Sequence, residues 1–527
     1  MRRPYFSKTS CAISQSVRFQ GYNKSGEYEN AVVDMGNMCF DNYPSIKTVN
    51  RRRIAKTLSK PNGIFSHNKL YWVDGDTLYC QGEAVCRVQD NIKEFCKMGA
   101  YLVIMPDGIV VNTLDNTYGY MDTIHDVLSA TVHFCDRQGA DRDTAEGFLK
   151  IYLAPAFVSV DDFIEIYDCD QKLAGWHRVY ATSDESAEFL VVDYSEDTLP
   201  TTAMKIRRGF PQNDCMVSVN NRLWCADSEN HEIYASILGS PFCWHRYEGI
   251  STDSYAATVG SSGQFTAAAT LYSYAYFFKE GCVHKVYGDT PQDFVITEEV
   301  IKGVKADSKR SVAYVNGGIA YLSTDGFYFF SGSEAVCISQ ALKGCVFYNA
   351  VGGAIGDKYY VSCFEKTSAT TGQSVLLCYD FSNNLWAKLD NSRIEMFCAH
   401  DNLLYALASD GTLYCFDDEG AFGIGDSVFE DEKEFFCTVK TLCFDSYLAK
   451  YLQRVIVDIK CSGSAMVSVS FDGETFFNAY ELCSGVRHRL SIPCHAVRGS
   501  FVWIKIEGVG ETEIFSITKL YEKGGNF

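Results

Sequence analysis

None of the 22 cysteines in this 527-residue chain stands in a Cys-x-x-Cys pair. That excludes the usual zinc modules, and a chain this long is no small disulfide scaffold. Most cysteines sit inside apolar runs, such as Cys378 in Val-Leu-Leu-Cys-Tyr and Cys415 in Leu-Tyr-Cys-Phe. They read as small buried hydrophobes kept in a reducing compartment, which points to synthesis in a cytoplasm. No run of 18 apolar residues occurs, so no transmembrane helix is expected. The first ten residues carry charge but no apolar stretch follows, so no secretory signal is expected. Basic residues are few, 47 Lys+Arg against 66 Asp+Glu, and the net charge of −19 lacks the footprint of a general nucleic-acid binder. The Gly-x-Ser-x-Gly, Gly-x-x-x-x-Gly-Lys and His-Glu-x-x-His motifs and calcium-loop spacings are all missing, and the ten histidines are scattered. No catalytic, cofactor or metal residues are therefore expected, and the chain does not read as an enzyme.

Aromatics, by contrast, are abundant: 33 Tyr and 35 Phe, against only 10 Pro. With 47% hydrophobic residues, this is a globular, strand-favouring composition long enough for about three or four domains. Asp-Gly between alternating apolar runs recurs at Asp74-Gly75, Asp107-Gly108, Asp325-Gly326 and Asp410-Gly411. This dipeptide is a strong hairpin signal, because the tight turn needs positive φ. Looser copies centre near Asp227, Glu280 and residue 367. Apart from one long interval between 107 and 227, the spacing is about 33 to 53 residues, the period of propeller blades. The sequence thus predicts an all-β chain with a β-propeller of about six or seven blades.

The long interval is filled by a strand-like insertion, 124–206, expected to form a small β-sandwich or barrel. The propeller then occupies 63–123 and 207–425. Residues 426–527 alternate in the manner of a β-sandwich, with a turn at Asp472-Gly473. Helical periodicity is best over 337–345. His231 and His245, near Trp224 and Trp244, read as packing histidines. The turn aspartates Asp74, Asp107, Asp325 and Asp410 are explained by turn geometry rather than by glycosidase carboxylate pairs. Aromatic side chains on every strand point to packing, with sugar stacking a minor alternative.

Charge is uneven along the chain. Residues 1–62 hold 11 bases and 4 acids, a net +7, which leaves −26 on the other 465 residues. Residues 1–62 therefore read as a basic docking arm on an acidic body, with Arg2, Arg3, Arg51, Arg52 and Arg53 as candidates for a subunit contact.

Three stretches, in order, resemble tailed-phage virion proteins of the tail-nozzle and packaged-DNA-stabilisation type. The first is Phe19-Gln-Gly-Tyr-Asn23 with Asp34-Met-Gly-Asn37, Tyr43-Pro44 and Arg51-Arg-Arg53. The second is Asn221-Arg-Leu-Trp224, Ile233-Tyr-Ala-Ser236 and Pro241-Phe-Cys-Trp244, followed by Gly263-Gln-Phe-Thr266 and Phe277-Phe-Lys-Glu280. The third is Ile492-Pro493, Ile506-Glu-Gly508-Val-Gly510 and Ile514-Phe-Ser-Ile517. The insertion 124–206 has no counterpart in that pattern, and Cys243 departs from it. The resemblance implies a non-enzymatic structural protein of the virion tail or neck. Such a protein forms a homo-oligomeric ring, docks to portal, adaptor or other tail proteins, and encloses packaged DNA as a non-specific neighbour. The acidic body suits a conduit wall that repels the genome, and the basic arm suits docking between copies. A tail-tip module that binds a surface glycan or receptor is the alternative.

Overall fold

Each blade turn read from the sequence falls between the second and third strands of a four-stranded antiparallel sheet, and there are seven such sheets among the described residues. They are the blades of a β-propeller, seen in a computed structural model. It describes residues 12–24, 26, 30–127, 131–138, 140–145, 147–153, 160, 162–169, 173–182, 187–194, 203–366, 372–416, 428–442, 450–494 and 501–523. The turn near 367 lies outside these residues, although the strands flanking it, Lys358–Lys366 and Gly372–Asp380, pair as expected. Among the described residues no helix is long and apolar enough to cross a membrane.

The chain divides into two units, residues 62–306 and residues 1–61 with 307–527. In the first, blade 1 (61–87) and blade 2 (94–120) precede the insertion, and blade 3 (215–258) and blade 4 (267–300) follow it. Inner strands are more buried than outer ones: every residue of Arg222–Asp227 is buried, while no residue of the outer strand Val295–Val300 is. That gradient is where the aromatic excess goes. Tyr71 and Phe277 are fully buried, and Trp224 packs edge-on against Phe294 at 4.9 Å. The insertion is an eight-stranded antiparallel sheet from Thr123 to Arg208. It wraps a core of its own that includes Leu149, Ile151, Ile164, Val179 and Ile206. Its strand Gly175–Thr182 was not legible, because Gly-Trp-His-Arg-Val-Tyr-Ala-Thr lacks alternation.

The second unit holds blade 5 (313–337), blade 6 (347–390) and blade 7. Blade 7 takes three strands from 394–416 and its fourth, Arg53–Thr57, from the N-terminal region. A nine-stranded sheet completes the unit. Its long strand Lys450–Ser470 pairs first with Thr512–Lys523 and later with Phe501–Val509, so one strand serves two partners along the same side. N-terminal strands enter the same sheet: Ala31–Gly36 pairs with Phe435–Leu442, and Ile46–Thr48 pairs with Thr512–Lys523. One hydrophobic core runs through sandwich and blades, from Ile504 and Val457 to Phe327 and Trp386.

Two expectations are corrected here. The expected docking arm is, from residue 12 onward, part of the fold: its strands join the nine-stranded sheet and close blade 7. Burial of Val32, Met35 and Ile46 at 0% exposure outweighs the solvation of the nearby charges. The segment 337–345 forms only a three-residue 3₁₀ turn, Gln340–Leu342, since so short a stretch cannot offset helix nucleation.

Gly411 shows why the Asp-Gly turn is needed in blade 7. Its φ is +91°, and a Cβ would stand 2.1 Å from the Leu58 carbonyl oxygen, while the Leu58 N–H donates to the Gly411 carbonyl at 2.8 Å. Gly411→Ala should therefore destabilise this unit by about 2 kcal/mol, combining left-handed strain with backbone displacement. A urea midpoint matching the parent protein would show that the closure relaxes freely.

Candidate functional site: an arginine clasp beside a polar cavity

The three consecutive arginines were the principal site candidates, and the fold gives each a different fate. Arg52 is 3% exposed. Its Nη2 donates to Asp390 Oδ2 at 2.7 Å and to Glu430 Oε2 at 2.8 Å, and its Nε reaches Glu430 Oε1 at 3.0 Å. The guanidinium also lies over the Tyr414 ring, 4.5 Å from its centroid. Lys433 adds a second cation, 2.5 Å from Asp390 and 2.8 Å from Glu430. Burial by itself would raise the pKa of both acids. The guanidinium and ammonium reverse that and hold them below the ordinary carboxylate range.

Arg53 is also buried and stacks over Phe429. Arg51 alone is exposed, although its Nε donates to the Glu430 carbonyl at 2.8 Å. As subunit contacts, Arg52 and Arg53 are therefore corrected: their charges are spent within the chain, fastening residues 50–53 to blades 6 and 7. Arg2 and Arg3 lie outside the described residues.

Beside this clasp opens a cavity of about 730 Å³, lined by Asp41, Arg51, Lys358, Asp380 and Phe416 among others. Asp41 bonds Lys358 at 2.6 Å, and Lys47 stands 3.8 Å away. Charges of both signs meet here and largely cancel. No group of three His, Cys, Asp or Glu side chains among the described residues is arranged to hold a metal. The chemistry of this site is fastening and polar contact.

The remaining sequence candidates resolve in the same structural direction. Asp107 pairs with the buried Lys93 at 2.5 Å, and Asp410 caps its own turn by accepting the Thr412 N–H at 2.9 Å. His245 stacks on Trp176 of the insertion, with centroids 3.8 Å apart, and burial pushes its pKa down to about 4. His231 differs from expectation, as it is exposed with φ +56° in the turn of blade 3. Cysteines behave as small hydrophobes: Cys378 and Cys415 are buried, and burial raises the Cys378 thiol above its ordinary value.

Sequence reading left Arg222 as one word of a motif, yet it is the most heavily bonded buried cation of blade 3. At 1% exposure it donates to the carbonyls of Ser236 at 2.8 Å, Ser251 at 2.7 Å and Asp253 at 2.5 Å, with that of Thr252 farther off at 3.5 Å. The signal was present, since an arginine inside the apolar Arg-Leu-Trp strand must find acceptors. Which acceptors it finds depends on a long loop that no local pattern specifies.

No family model matches the chain, and no curated protein matches it. Among solved structures, it is similar to BamB from Moraxella catarrhalis at 10% identity and TM-score 0.35, over 69% of this chain and 96% of that one. Hsv2 from Kluyveromyces lactis matches at 8% identity and TM-score 0.28, over 55% and 94%. An exo-β-1,3-galactanase from Phanerochaete chrysosporium matches at 8% identity and TM-score 0.18, over 75% and 100%. At these scores the likenesses assign no function.

Proposed function

We propose that this chain is a structural protein of a tailed-phage virion. It builds a neck or tail ring, or nozzle, that retains packaged DNA and conducts it on ejection. The observation that carries this reading is the order of the three motif stretches along the sequence, each degenerate alone. The charge distribution supports it, since −26 on residues 63–527 suits a wall from which DNA is repelled. So does the use of polar residues from the motif stretches and turns as fasteners: Arg52, Arg222 and Asp107 all bind within the chain. Docking to a neighbouring copy, or to a portal or adaptor, then falls to exposed residues such as Arg51, together with Arg2 and Arg3, which lie outside the described residues.

Electron microscopy of the purified assembly tests the reading. A closed ring with an acidic lumen is expected. A strict monomer with measurable glycan affinity would sink it and favour the tail-tip recognition module. Arg51→Glu is the informative variant, because Arg52→Glu would break the clasp and the fold with it. The variant should fold normally yet incorporate into particles at least tenfold less; normal incorporation would remove Arg51 from the docking surface.

A further inference from the structure

Blade 4 carries a second polar cluster that the structural reading does not use. The loop Gly260-Ser-Ser-Gly263 leads into the blade, and beside it lies a cavity of about 580 Å³. Ser261, Gln264, Thr266, Lys279, Cys282 and Glu298 line it. Its size lies within the range of small-ligand sites.

Behind the cavity, His284 is 2% exposed, and its Nε2 stands 2.7 Å from Ser261 Oγ. Burial lowers the His284 pKa, Lys279 lowers it further, and Glu298 opposes them from the neighbouring strand. The imidazole is therefore neutral near pH 7, and in the tautomer protonated on Nδ1 its Nε2 accepts the serine proton. Lys279 is 1% exposed, and among the described residues it forms no ion pair with a carboxylate. Its ammonium donates to the Ser261 carbonyl at 2.8 Å and sits 4.5 Å from the centre of the Phe265 ring. A hydroxyl bonded to a neutral base, a buried cation beside it, and a cavity open to both are the components of nucleophilic acyl transfer.

We propose that Ser261 is an acyl-accepting nucleophile, with His284 as its general base, in a pocket that takes a short-chain carboxylic ester. As the Ser261 Oγ–carbon bond forms, the hydroxyl proton passes to His284 Nε2. The ester carbon–oxygen bond then breaks, and the leaving alcohol takes that proton. Water attacks the acyl-serine through the same base, releasing the carboxylic acid and restoring the serine. Lys279 supplies positive charge next to the carbon that becomes tetrahedral. Cys282, whose Sγ is 3.9 Å from the same ring nitrogen, is the competing nucleophile.

The full-length protein is treated with a fluorophosphonate probe, and the modified peptide is identified by mass spectrometry. One adduct on Ser261 is expected, and no variant is needed to see it. Hydrolysis of p-nitrophenyl acetate should fall on the order of 100-fold in Ser261→Ala and in His284→Asn, the contribution of a positioned base. An unlabelled Ser261, labelling at another residue, or hydrolysis unchanged in His284→Asn would each overturn the proposal. The outcome is independent of the ring: a ring without an adduct refutes only this site, and a monomer with an adduct refutes only the ring.

Discussion

Arg52→Ala should cost the unit formed by residues 1–61 and 307–527 about 3 kcal/mol at pH 7, the loss expected when one partner leaves a buried ion pair. Asp390 and Glu430, with side chains 15% and 10% exposed, would keep Lys433 as their paired cation, and it is itself 34% exposed. The pH dependence identifies the cause. Both acids are held below their ordinary range in the folded state. Their contribution is thus complete above the unfolded carboxylate values of about 4 and fades as pH falls through the folded ones. Urea unfolding of parent and variant should show the full gap at pH 7 and a much smaller gap at pH 3. A gap of the same size at both would assign the loss to packing over Tyr414 instead of to charge. Arg52→Lys should recover only part, because an ammonium cannot span both carboxylates in the guanidinium's fork.

The clasp also marks where sequence reading reached its limit. Asp-Gly turns and alternation are local, and they located the second-to-third-strand hairpin of every blade, the insertion and the sandwich strands. What they cannot express is a partner hundreds of residues away. Arg53–Thr57 pairs with Thr412–Phe416, and Ala31–Gly36 with Phe435–Leu442. Summing charge over 1–62 therefore suggested an arm, when the same residues are a strand supply for the far end of the chain. Run-together basic residues are usually a solvated face. Here the hydrophobic neighbours decided otherwise, with Met35 and Ile46 drawn fully into the core and Arg52 carried in behind them. The acids that receive it, Asp390 and Glu430, belong to no motif, so only the tertiary fold reveals them. Blade 4's Ser261 and His284 escaped for the same reason: they stand 23 residues apart in no recognised spacing.

Arg222→Met tests the opposite kind of residue, one that stood in a motif and proved architectural. The guanidinium organises the excursion between blade 3's third strand, Glu232–Ala235, and its fourth, Tyr255–Thr258, by binding the Ser236, Ser251 and Asp253 carbonyls. The excursion has its own fastenings, with Arg246 Nε on Asp253 at 3.0 Å and the Gly249 N–H on the same carboxylate at 2.6 Å. Methionine fills much of the volume but has no donor for those carbonyls, so up to three buried acceptors lose their donor. At about 1–3 kcal/mol for each buried group left unsatisfied, and with water reaching some of them, the expected loss is about 3–4 kcal/mol. Local opening should precede global unfolding. Limited trypsin digestion should then cut the variant after Arg246, which is 8% exposed in the intact chain, at least tenfold faster than the parent. Equal cleavage rates would mean that Arg246 and Asp253 hold the excursion without Arg222, and that the arginine in the Arg-Leu-Trp strand serves some contact beyond this chain.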